Sequence, residues 1–455
     1  MRTHFDLAVI GSGSGNSIVD DSFAGWDVAI LEKGVFGGTC LNRGCIPTKM
    51  FVYPADLALS AEHGSELGIR TSFESVDWPA VRDRIFSRID PISTGGRHWR
   101  AGGSSNVRLY EGRARFLDAH KLDTGTGETI TAEHVVVAAG SRPVLPEVPG
   151  LGDVPFHTSD TVMRLDELPP RVLILGGGFV SAEFAHVFSA FGTHVTVVNR
   201  SEVLLGKEDQ EVAVAFTEVA QQRWDVRLGR TVSRLEPAGP GVRAHLDDGE
   251  LVEADLLLVA TGRRSNSDLL DLDRAGVEVD EAGRVAVDAH QRTTAPGVWA
   301  LGDVSSPFQL KHVSNAEARV VRHNLLHPDD LRSSNSDVVP RAVFSQPQVA
   351  SVGLTQRQAE AVGRPFVVAK QMYGETAYGW AMEDTSSFVK LVADPSTGLL
   401  LGAHLIGPQA ANLIQPLIQA MSLGQRVPDI ARGQYWIHPA LMEVVENALL
   451  RLEID

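Results

Sequence analysis

The feature that most constrains this chain is a strand–glycine turn–helix pattern that occurs twice. The first copy is FDLAVIGSGSGN, residues 5–16, and the second is RVLILGGGFVSAE, residues 171–183. A second apolar run follows each copy, WDVAILEK at 26–33 and THVTVVNR at 193–200. A buried strand that ends in a glycine turn before a helix opens a doubly wound nucleotide-binding unit. The repeat therefore predicts an α/β chain with two Rossmann-like units.

The glycines of both turns suit phosphate binding, because they let the backbone approach a ligand closely at a helix N-terminus. The predicted phosphate-binding glycines are Gly11, Gly13 and Gly15 in the first copy and Gly176, Gly177 and Gly178 in the second. The usual third glycine is replaced by Asn16 in the first copy and by Ser181 in the second. Either turn alone would be a weak signal, and the repetition is what favours nucleotide binding.

The residue that ends the second strand of each copy discriminates between nucleotides. Glu32 ends that strand in the first copy, and a carboxylate there hydrogen-bonds a free ribose diol. Asn199 takes the matching position in the second copy, followed by Arg200. An arginine pairs with a ribose 2′-phosphate, which an acid would repel. We therefore expect FAD on the first unit and NADPH, in preference to NADH, on the second.

The net charge and the lengths of the apolar runs limit the kinds of partner that this chain can bind. The formal net charge is −16, which disfavours nucleic acid or an anionic membrane as the main partner. No apolar run approaches the ~20 residues of a membrane span, and a strand-like run begins too early for a signal peptide. We expect a cytoplasmic protein, in which two cysteines are more readily catalytic or metal-binding than structural.

Both cysteines lie in GGTCLNRGCIPTK, residues 37–49, as Cys40 and Cys45. In a regular helix their spacing would separate them by about 7.5 Å along the axis. A disulfide needs Cα atoms roughly 4.4–6.8 Å apart, so the backbone between them must be irregular. Gly44 permits this, and Pro47 is tolerated only in a first turn. We expect a helix to begin near Cys45, where its positive end and Lys49 favour a thiolate.

Two other uses of the cysteine pair compete with a redox role. Zinc would need a second pair of ligands beside this C-x₄-C spacing, and no metal site is predicted. An inert structural bridge is the other alternative.

The motif resembles the redox motif of the flavoprotein disulfide reductases, which include glutathione, trypanothione and mycothione reductases and dihydrolipoamide dehydrogenase. The resemblance covers essentially the whole chain. It implies that Cys40 is the thiol that attacks a disulfide substrate. It implies that Cys45 is the thiol on the flavin side.

Further residues take roles from the same resemblance. Lys49 resembles the family lysine near the flavin, Glu183 its carboxylate partner, and Phe179 an aromatic gate where nicotinamide binds. Asp303, in ALGDV, resembles the acid that holds the ribityl chain of FAD. Buried runs that end in glycine deliver loops to ligands. The remaining implied contacts are Gly38, Thr39 and Gly140 for FAD and Gly262 for NADPH.

The C-terminal stretch YWIHPALMEVVENA, residues 435–448, resembles the acid–base dyad of the family. A histidine of near-neutral pKa can protonate a leaving thiolate, and a carboxylate can orient it. These would be His438 and Glu443, with Glu443 about one turn into a helix. The family more often has threonine where this chain has Ala440. Because the family places the dyad in the partner subunit's site, the resemblance implies a homodimer.

The fold expected from these observations is two Rossmann-like nucleotide-binding domains followed by a C-terminal α+β dimerisation domain. The polar, turn-rich stretch at 326–337 predicts the last boundary. We expect an FAD-binding domain with the redox disulfide at 1–148 and an NADPH-binding domain at 149–265. A central domain that completes the FAD site is expected at 266–335, and an interface domain at 336–455.

Several stretches resemble the mycothione reductase branch of the family, among them GSGSGNSIVDD, YGWAMEDTS and ARGQYWIHPALMEVVENALL. The resemblance implies NADPH-dependent reduction of mycothiol disulfide, whose thiol is an acetylated cysteine on an inositol–glucosamine pseudodisaccharide. Glutathione reductase or dihydrolipoamide dehydrogenase activity is the competing enzymatic reading. A flavin-binding redox sensor without turnover is the alternative from another class.

Overall fold

The computed structural model describes residues 3–103, 105–334 and 337–454. The first nucleotide unit is built on β1, a strand of apolar residues buried on both faces. Its elements are β1 His4–Ile10, β2 Val28–Leu31, α1 Gly38–Arg43, α2 Cys45–His63, α3 Trp78–Gly102, β3 Val107–Tyr110, β4 Arg115–Asp118, β5 Lys121–Asp123, β6 Thr129–Val137 and β7 Ser141–Pro143. The expected limits at residues 1 and 455 lie outside the described residues.

The sheet of this unit runs in the order β3-β2-β1-β6-β5-β4. β1 pairs in parallel with both β2 and β6, so its carboxyl end, where the first glycine turn begins, lies at the centre of the parallel part. Leu7 and Val9 pack into one apolar cluster and Ala8 and Ile10 into another on the opposite face. Ligands of such sheets bind at the carboxyl ends of the strands.

The helix expected after the first glycine turn is a wrong prediction. Two short 3₁₀ turns, Gly15–Ile18 and Asp21–Phe23, stand there instead. The side chain of Asp20 accepts a hydrogen bond from the Ser22 N–H, a local bond that competes with helical pairing. The side chain of Asn16 is engaged by Arg100 of α3 (Nε–Oδ1 2.8 Å) and holds the turn to a distant helix.

The second nucleotide unit repeats the arrangement, with an α-helix directly after its glycine turn. Its parallel sheet runs β10-β9-β8-β14, beside an antiparallel sheet β11-β12-β13 and a two-stranded pairing of β15 with β7. The elements are β8 Arg171–Leu175, α4 Phe179–Ala190, β9 His194–Asn199, α5 Gln210–Arg223, β10 Asp225–Leu228, β11 Val232–Ala238, β12 Gly241–Leu246, β13 Leu251–Ala254, β14 Leu256–Val259 and β15 Arg263–Ser265.

The chain then returns to the first sheet. β16, Val298–Ala300, pairs in parallel with β6 and delivers the loop that contains Asp303 to the carboxyl edge of that sheet. α6, Lys311–Leu326, follows and packs against the 3₁₀ turn Gly15–Ile18. This helix brings its first residue to the first glycine turn.

The C-terminal unit is an antiparallel sheet in the order β17-β18-β21-β20-β19, covered by helices. Within residues 388–407 the two strands β20 and β21 pair antiparallel. The stretch NLIQPLIQAMSLG holds parts of two helices, which are divided at Ile414, two residues before Pro416. The elements are β17 Arg341–Val343, β18 Val349–Gly353, α7 Gln356–Val362, β19 Val367–Met372, α8 Ala377–Ala381, β20 Phe388–Ala393, β21 Leu400–Ile406, α9 Ala410–Leu413, α10 Gln415–Leu423, α11 Val427–Arg432 and α12 Glu443–Leu450.

The predicted boundary at 335/336 lies outside the described residues. A search of the helices within the described ranges finds none with the length and hydropathy of a membrane span.

A buried ion cluster joins the second nucleotide unit to the C-terminal sheet. Lys390 of β20 has a side chain that is only 2% exposed, and its Nζ lies 2.9 Å from Asp209 and 2.7 Å from Glu211. Although burial opposes ionisation, hydrogen bonds from Lys390 and the Gln356 N–H hold the pKa of Asp209 below its usual value. Lys370 contacts Glu211 from the solvent side (2.9 Å).

We expect Lys390→Ala to lower the free energy of unfolding by about 3–5 kcal/mol, because it leaves the buried Asp209 carboxylate without its cation. Lys370→Ala is the matched control, and its loss should stay below about 1 kcal/mol because that pair is largely solvated. Denaturant unfolding of both variants measures the difference. Equal losses would contradict the assignment of the cluster as a structural joint.

Candidate active site

The two cysteines lie at the junction of two helices. Cys40 is in α1, and Cys45 is the first residue of α2. Gly44 separates the helices with φ −143° and ψ −126°, and a Cβ there would lie 3.0 Å from the Thr39 carbonyl oxygen. The predicted break at Gly44 and helix start at Cys45 are confirmed. The break brings the thiols into hydrogen-bond contact.

The surroundings shift the pKa values of the two thiols in opposite directions. The hydrogen bond to Cys45, together with burial, raises the pKa of Cys40 above its usual range. The same hydrogen bond, accepted by Cys45 and assisted by the charge of Lys49, lowers the pKa of Cys45 to about 7. In the reduced pair Cys45 is therefore the sulfur that carries negative charge near neutral pH, and Cys40 holds the proton.

Lys49 and Glu183, predicted as a pair, are in contact. Lys49 Nζ lies 2.5 Å from a Glu183 carboxylate oxygen, and the other oxygen accepts the Phe344 N–H at 2.9 Å. The ammonium of Lys49 also lies over the Phe344 ring, 4.5 Å from its centroid. This contact joins α2, α4 and the segment after β17, one turn of α2 beyond Cys45.

The first glycine turn has the close packing that FAD requires. A Cβ on Gly11, whose φ is +111°, would lie 2.3 Å from the Ala138 carbonyl oxygen. A Cβ on Gly38 would lie 2.6 Å from the Cα of Gly13, so the turn rests directly on the start of α1, next to Thr39. Gly15 packs against the Ala138 side chain in the same way. Glycines at these positions let the backbone approach a pyrophosphate closely.

Glu32 lies at the edge of this turn. One of its carboxylate oxygens accepts the Ser12 N–H at 2.8 Å and the Ser12 hydroxyl at 2.7 Å, and the other accepts the Gly34 N–H at 2.8 Å. The second oxygen keeps a free lone pair for a ribose hydroxyl. The carboxylate is therefore fixed in position and still able to accept from the adenosine ribose of FAD.

Asp303 is held by a chain of two hydrogen bonds. Its carboxylate accepts a hydrogen bond from the Ser141 hydroxyl at 2.7 Å, and Ser141 in turn accepts from Arg263 at 3.0 Å. Gly140, just before Ser141, has φ +70° and open space at its Cβ position, which suits a loop that faces a ligand. Burial raises the pKa of the nearby Glu317 to about 7, and this carboxyl accepts the Gly302 N–H at 2.7 Å.

The second glycine turn has the same close approach of the backbone. A Cβ on Gly176, with φ +114°, would lie 2.5 Å from the Ala260 carbonyl oxygen, whereas Gly178 faces open space just before α4. Phe179 is the first residue of α4, and 51% of its surface is exposed over this turn. Gly262, with φ +129°, also has open space around its Cβ position. The turn can therefore receive the pyrophosphate of NADPH.

Arg200 and Asn199 differ in what they contact. Arg200 is exposed and forms no ion pair with any residue that the structure describes. Asn199 is buried, and its side-chain amide donates to the carbonyl oxygens of Ser201 (3.2 Å) and Val203 (2.9 Å). Asn199 thus shapes the loop that presents Arg200.

The predicted dyad is present in the C-terminal unit. His438 Nδ1 lies 2.6 Å from a Glu443 oxygen, and the two side chains are 72% and 17% exposed. Glu443 is the first residue of α12 and not a turn inside it, because α12 begins after the Ala440–Met442 turn. Within the described residues, His438 has no hydrogen bond or ion pair with Cys40 or Cys45. The site of one chain thus holds the cysteines without the dyad.

Sequence reasoning missed several residues of the site. Ser12 lies within the first glycine motif but was given no role, whereas Ser141, Arg263, Phe344 and Glu317 carry no motif of their own and make their contacts only in the folded chain. The described residues contain no group of three or more His, Cys, Asp or Glu side chains arranged to hold a metal ion.

Comparisons with known proteins agree with this geometry. The family model "Pyridine nucleotide-disulphide oxidoreductase" matches residues 5–319, and its "dimerisation domain" model matches residues 339–449. The fold and site define an FAD- and NADPH-dependent flavoprotein disulfide reductase. The chain belongs to the pyridine nucleotide-disulphide oxidoreductase family.

Individual relatives cover the chain almost completely. A mycothione reductase of Mycobacterium tuberculosis is 54% identical over 98% of this chain and 99% of its own length. A dihydrolipoyl dehydrogenase of Haloferax volcanii is 35% identical over 99% of this chain and 97% of its own length. The solved HOCl-induced flavoprotein disulfide reductase RclA from Escherichia coli superposes with TM-score 0.87 at 29% identity, covering 98% of this chain and 100% of that one.

The thiol asymmetry gives a prediction for Cys45 as the sole thiol. Cys40→Ala removes the hydrogen-bond donor and should raise the pKa of Cys45, whereas Cys40→Ser keeps a donor. Alkylation of Cys45 by iodoacetamide at pH 7 should then be about three- to tenfold slower in C40A than in C40S. The difference should vanish well above the free-thiol pKa of about 8.5. Identical pH profiles of the two holoproteins would refute the hydrogen-bond explanation.

Proposed function

We propose that this enzyme reduces mycothiol disulfide with NADPH. The observation that carries the proposal is 54% identity to a mycothione reductase along nearly the full length of both chains, against 35% to a dihydrolipoyl dehydrogenase and 33% to a glutathione reductase of Burkholderia cepacia. The dimerisation-domain match supports a homodimer.

The residues that hold the cofactors follow from the two turns. FAD is held by the first turn, with Gly11, Gly13 and Gly15 at its pyrophosphate and Glu32 at the adenosine ribose. Asp303, positioned by Ser141, holds the ribityl chain, and Gly38, Thr39 and Gly140 line the same cleft. NADPH is held by Gly176, Gly178 and Gly262, with Phe179 as a movable cover and Arg200 at the 2′-phosphate.

The chain's own residues carry out the thiol chemistry. When bound, FAD would supply two-electron transfer from NADPH to the Cys40–Cys45 disulfide. Cys40 then attacks the substrate disulfide, forming a mixed disulfide while the other substrate sulfur leaves with the electron pair. His438, oriented by Glu443, takes the proton of Cys40 as that sulfur attacks and then donates it to the leaving thiolate. Cys45 attacks Cys40 in the mixed disulfide and releases the second thiol.

Lys49 and Glu183 complete the thiol site. The ammonium of Lys49 stabilises the charge on Cys45, and Glu183 holds Lys49 in place through a bond that its second oxygen anchors to the Phe344 N–H. These two residues therefore keep Cys45 ready as the resolving thiolate.

The dyad is proposed to act on the partner subunit's cysteines. Its exposed histidine, without contact to Cys40 in its own chain, supports a site shared across a two-fold axis. Tyr435 and Ile437, in the irregular stretch just before His438, are 104% and 78% exposed, and a second copy would cover them. We also propose a cytoplasmic location and no nucleic-acid partner, which the net charge of −16 supports.

The division into four units is proposed with the boundaries given above. The two parallel sheets support the FAD- and NADPH-binding units, and the return of β16 to the first sheet supports a central unit that completes the FAD site. The antiparallel sheet of β17 to β21 supports the interface unit.

The test of the substrate is NADPH oxidation by the holoenzyme with mycothiol disulfide, glutathione disulfide and lipoamide side by side. We expect kcat/KM for mycothiol disulfide to exceed the others by at least about 100-fold, as for sites that read polar groups. A preference for either other disulfide would overturn the substrate and leave the reductase chemistry intact. A holoprotein with no turnover on any disulfide would favour the redox sensor.

Arg200 predicts the coenzyme preference. Arg200→Met should raise the KM for NADPH roughly tenfold or more, because a charge-assisted bond to the 2′-phosphate is lost, and should leave the KM for NADH unchanged. Arg243→Met is the matched control, since Arg243 of the same unit is already paired with Glu236 and Glu253. Steady-state kinetics with both coenzymes decides, and an equal effect on NADH would contradict the assignment.

A shared site predicts complementation between inactive variants. Cys40→Ala and His438→Ala homodimers should each lack disulfide turnover. After their subunits are exchanged, roughly a quarter of the wild-type activity should return, because half of the dimers are mixed and each has one intact site. Tags of different mass verify that mixed dimers have formed. If activity does not recover in these mixed dimers, the cysteines and the dyad of one chain belong to the same site.

A further inference from the structure

Lys311 is a positively charged residue beside the first glycine turn, and no sequence motif indicated it. It is the first residue of α6, its side chain is half-buried, and its Nζ donates a hydrogen bond to the Ser14 hydroxyl at 2.8 Å. Ser14 lies inside the first glycine turn, between Gly13 and Gly15. No carboxylate of the described residues lies within ion-pair distance of Lys311. A half-buried ammonium that has only a hydroxyl as partner lacks a counter-charge.

The same packing brings Lys311 near Cys40. The glycine turn that Lys311 contacts rests on Gly38, where α1 begins, and Cys40 follows in the first turn of that helix. The hydrogen bond to Cys45 and burial raise the pKa of Cys40, and the positive charge of Lys311 opposes them. Each thiol therefore has its own lysine.

The two lysines differ in whether a neighbouring acid neutralises their charge. Lys49, which acts on Cys45, has Glu183 as its partner at 2.5 Å. Lys311 acts on Cys40 and has no acid beside it. The neighbouring His312 contacts the Pro340 carbonyl oxygen (2.8 Å) and does not neutralise the site. The titratable and charged groups that act on Cys40 are thus Cys45 from α2 and Lys311 from α6.

We propose that Lys311 is a positioning residue for Cys40, whose sulfur supplies the missing counter-charge during turnover. The inference deepens the proposed function and rests on its redox chemistry. Opening the Cys40–Cys45 disulfide takes two electrons from NADPH and leaves negative charge on both sulfurs before one proton is taken up. Lys311 stabilises the charge on Cys40, both at that point and as Cys40 forms its bond to a substrate sulfur.

The experiment uses the fact that the chain has only two cysteines. In the C45S holoenzyme Cys40 is the sole thiol, and its alkylation by iodoacetamide across pH 5–10 reports its pKa directly. K311M and K311R are added to this background, and K121M, which removes an exposed lysine on β5, is the control. Flavin absorbance verifies that each variant is folded and loaded, and flavin fluorescence on dilution measures FAD retention.

We expect the alkylation of Cys40 at pH 7 to be about tenfold slower in K311M. A positive charge near a thiol lowers the pKa of that thiol by about one pH unit or more, and this variant removes the charge. K311R should restore the rate, and K121M should leave it unchanged. An unchanged pH profile in K311M would overturn the proposal. If FAD retention alone fell, Lys311 would serve the cofactor's phosphates instead, and the proposal would again be overturned.

The probe separates this inference from the proposed substrate. Iodoacetamide reacts with Cys40 whichever disulfide the enzyme reduces, so a failure of the mycothiol assay leaves the alkylation result interpretable. A slower reaction in K311M together with rescue by K311R supports the role of charge, since a purely structural defect would not follow the charge of residue 311.

Discussion

The carboxylate of Glu183 is the contact on which the arrangement of the site depends. One oxygen binds Lys49 of the cysteine-bearing helix and the other accepts the Phe344 N–H of the C-terminal unit. Glu183 is 5% exposed, so a loss of either partner would leave buried charge uncompensated. The same helix pair has a second polar contact, His186 to Asp56 at 2.8 Å. Burial lowers the pKa of His186, so its neutral ring donates to Asp56 and fixes the register of the two helices.

The backbone between the two cysteines explains how they take different roles within one short motif. A regular helix through both would hold the sulfurs apart, and the break at Gly44 lets them meet. Cys45 then sits at the N-terminus of α2 with Lys49 one turn beyond it, and Cys40 sits in a separate short helix. The asymmetry arises from the backbone, because the two thiols are chemically the same. A charged resolving sulfur and a protonated attacking sulfur follow from position alone.

The sequence predicted the parts of the site that are local. The helix start at Cys45 follows from Gly44 and Pro47, and the strands at the glycine turns follow from apolar runs. The 3₁₀ turns after the first glycine turn could not be predicted, because Arg100 binds Asn16 from 84 positions along the chain. The bond from Ser141 to Asp303 spans 162 positions and depends on β16 returning to the first sheet. Such contacts exist only once the fold is complete.

The buried cations of the chain differ in how their charge is compensated. Lys390 is neutralised by two acids, and Arg100 donates to the backbone carbonyl oxygens of residues 16 and 19 at 3.1 and 2.6 Å. Lys49 has an acid and an aromatic face. A cation withdrawn from water needs such partners, since its desolvation costs several kcal/mol. Lys311 has one hydroxyl as its partner among the described residues, and the charge that it is proposed to balance is the one that turnover creates on Cys40.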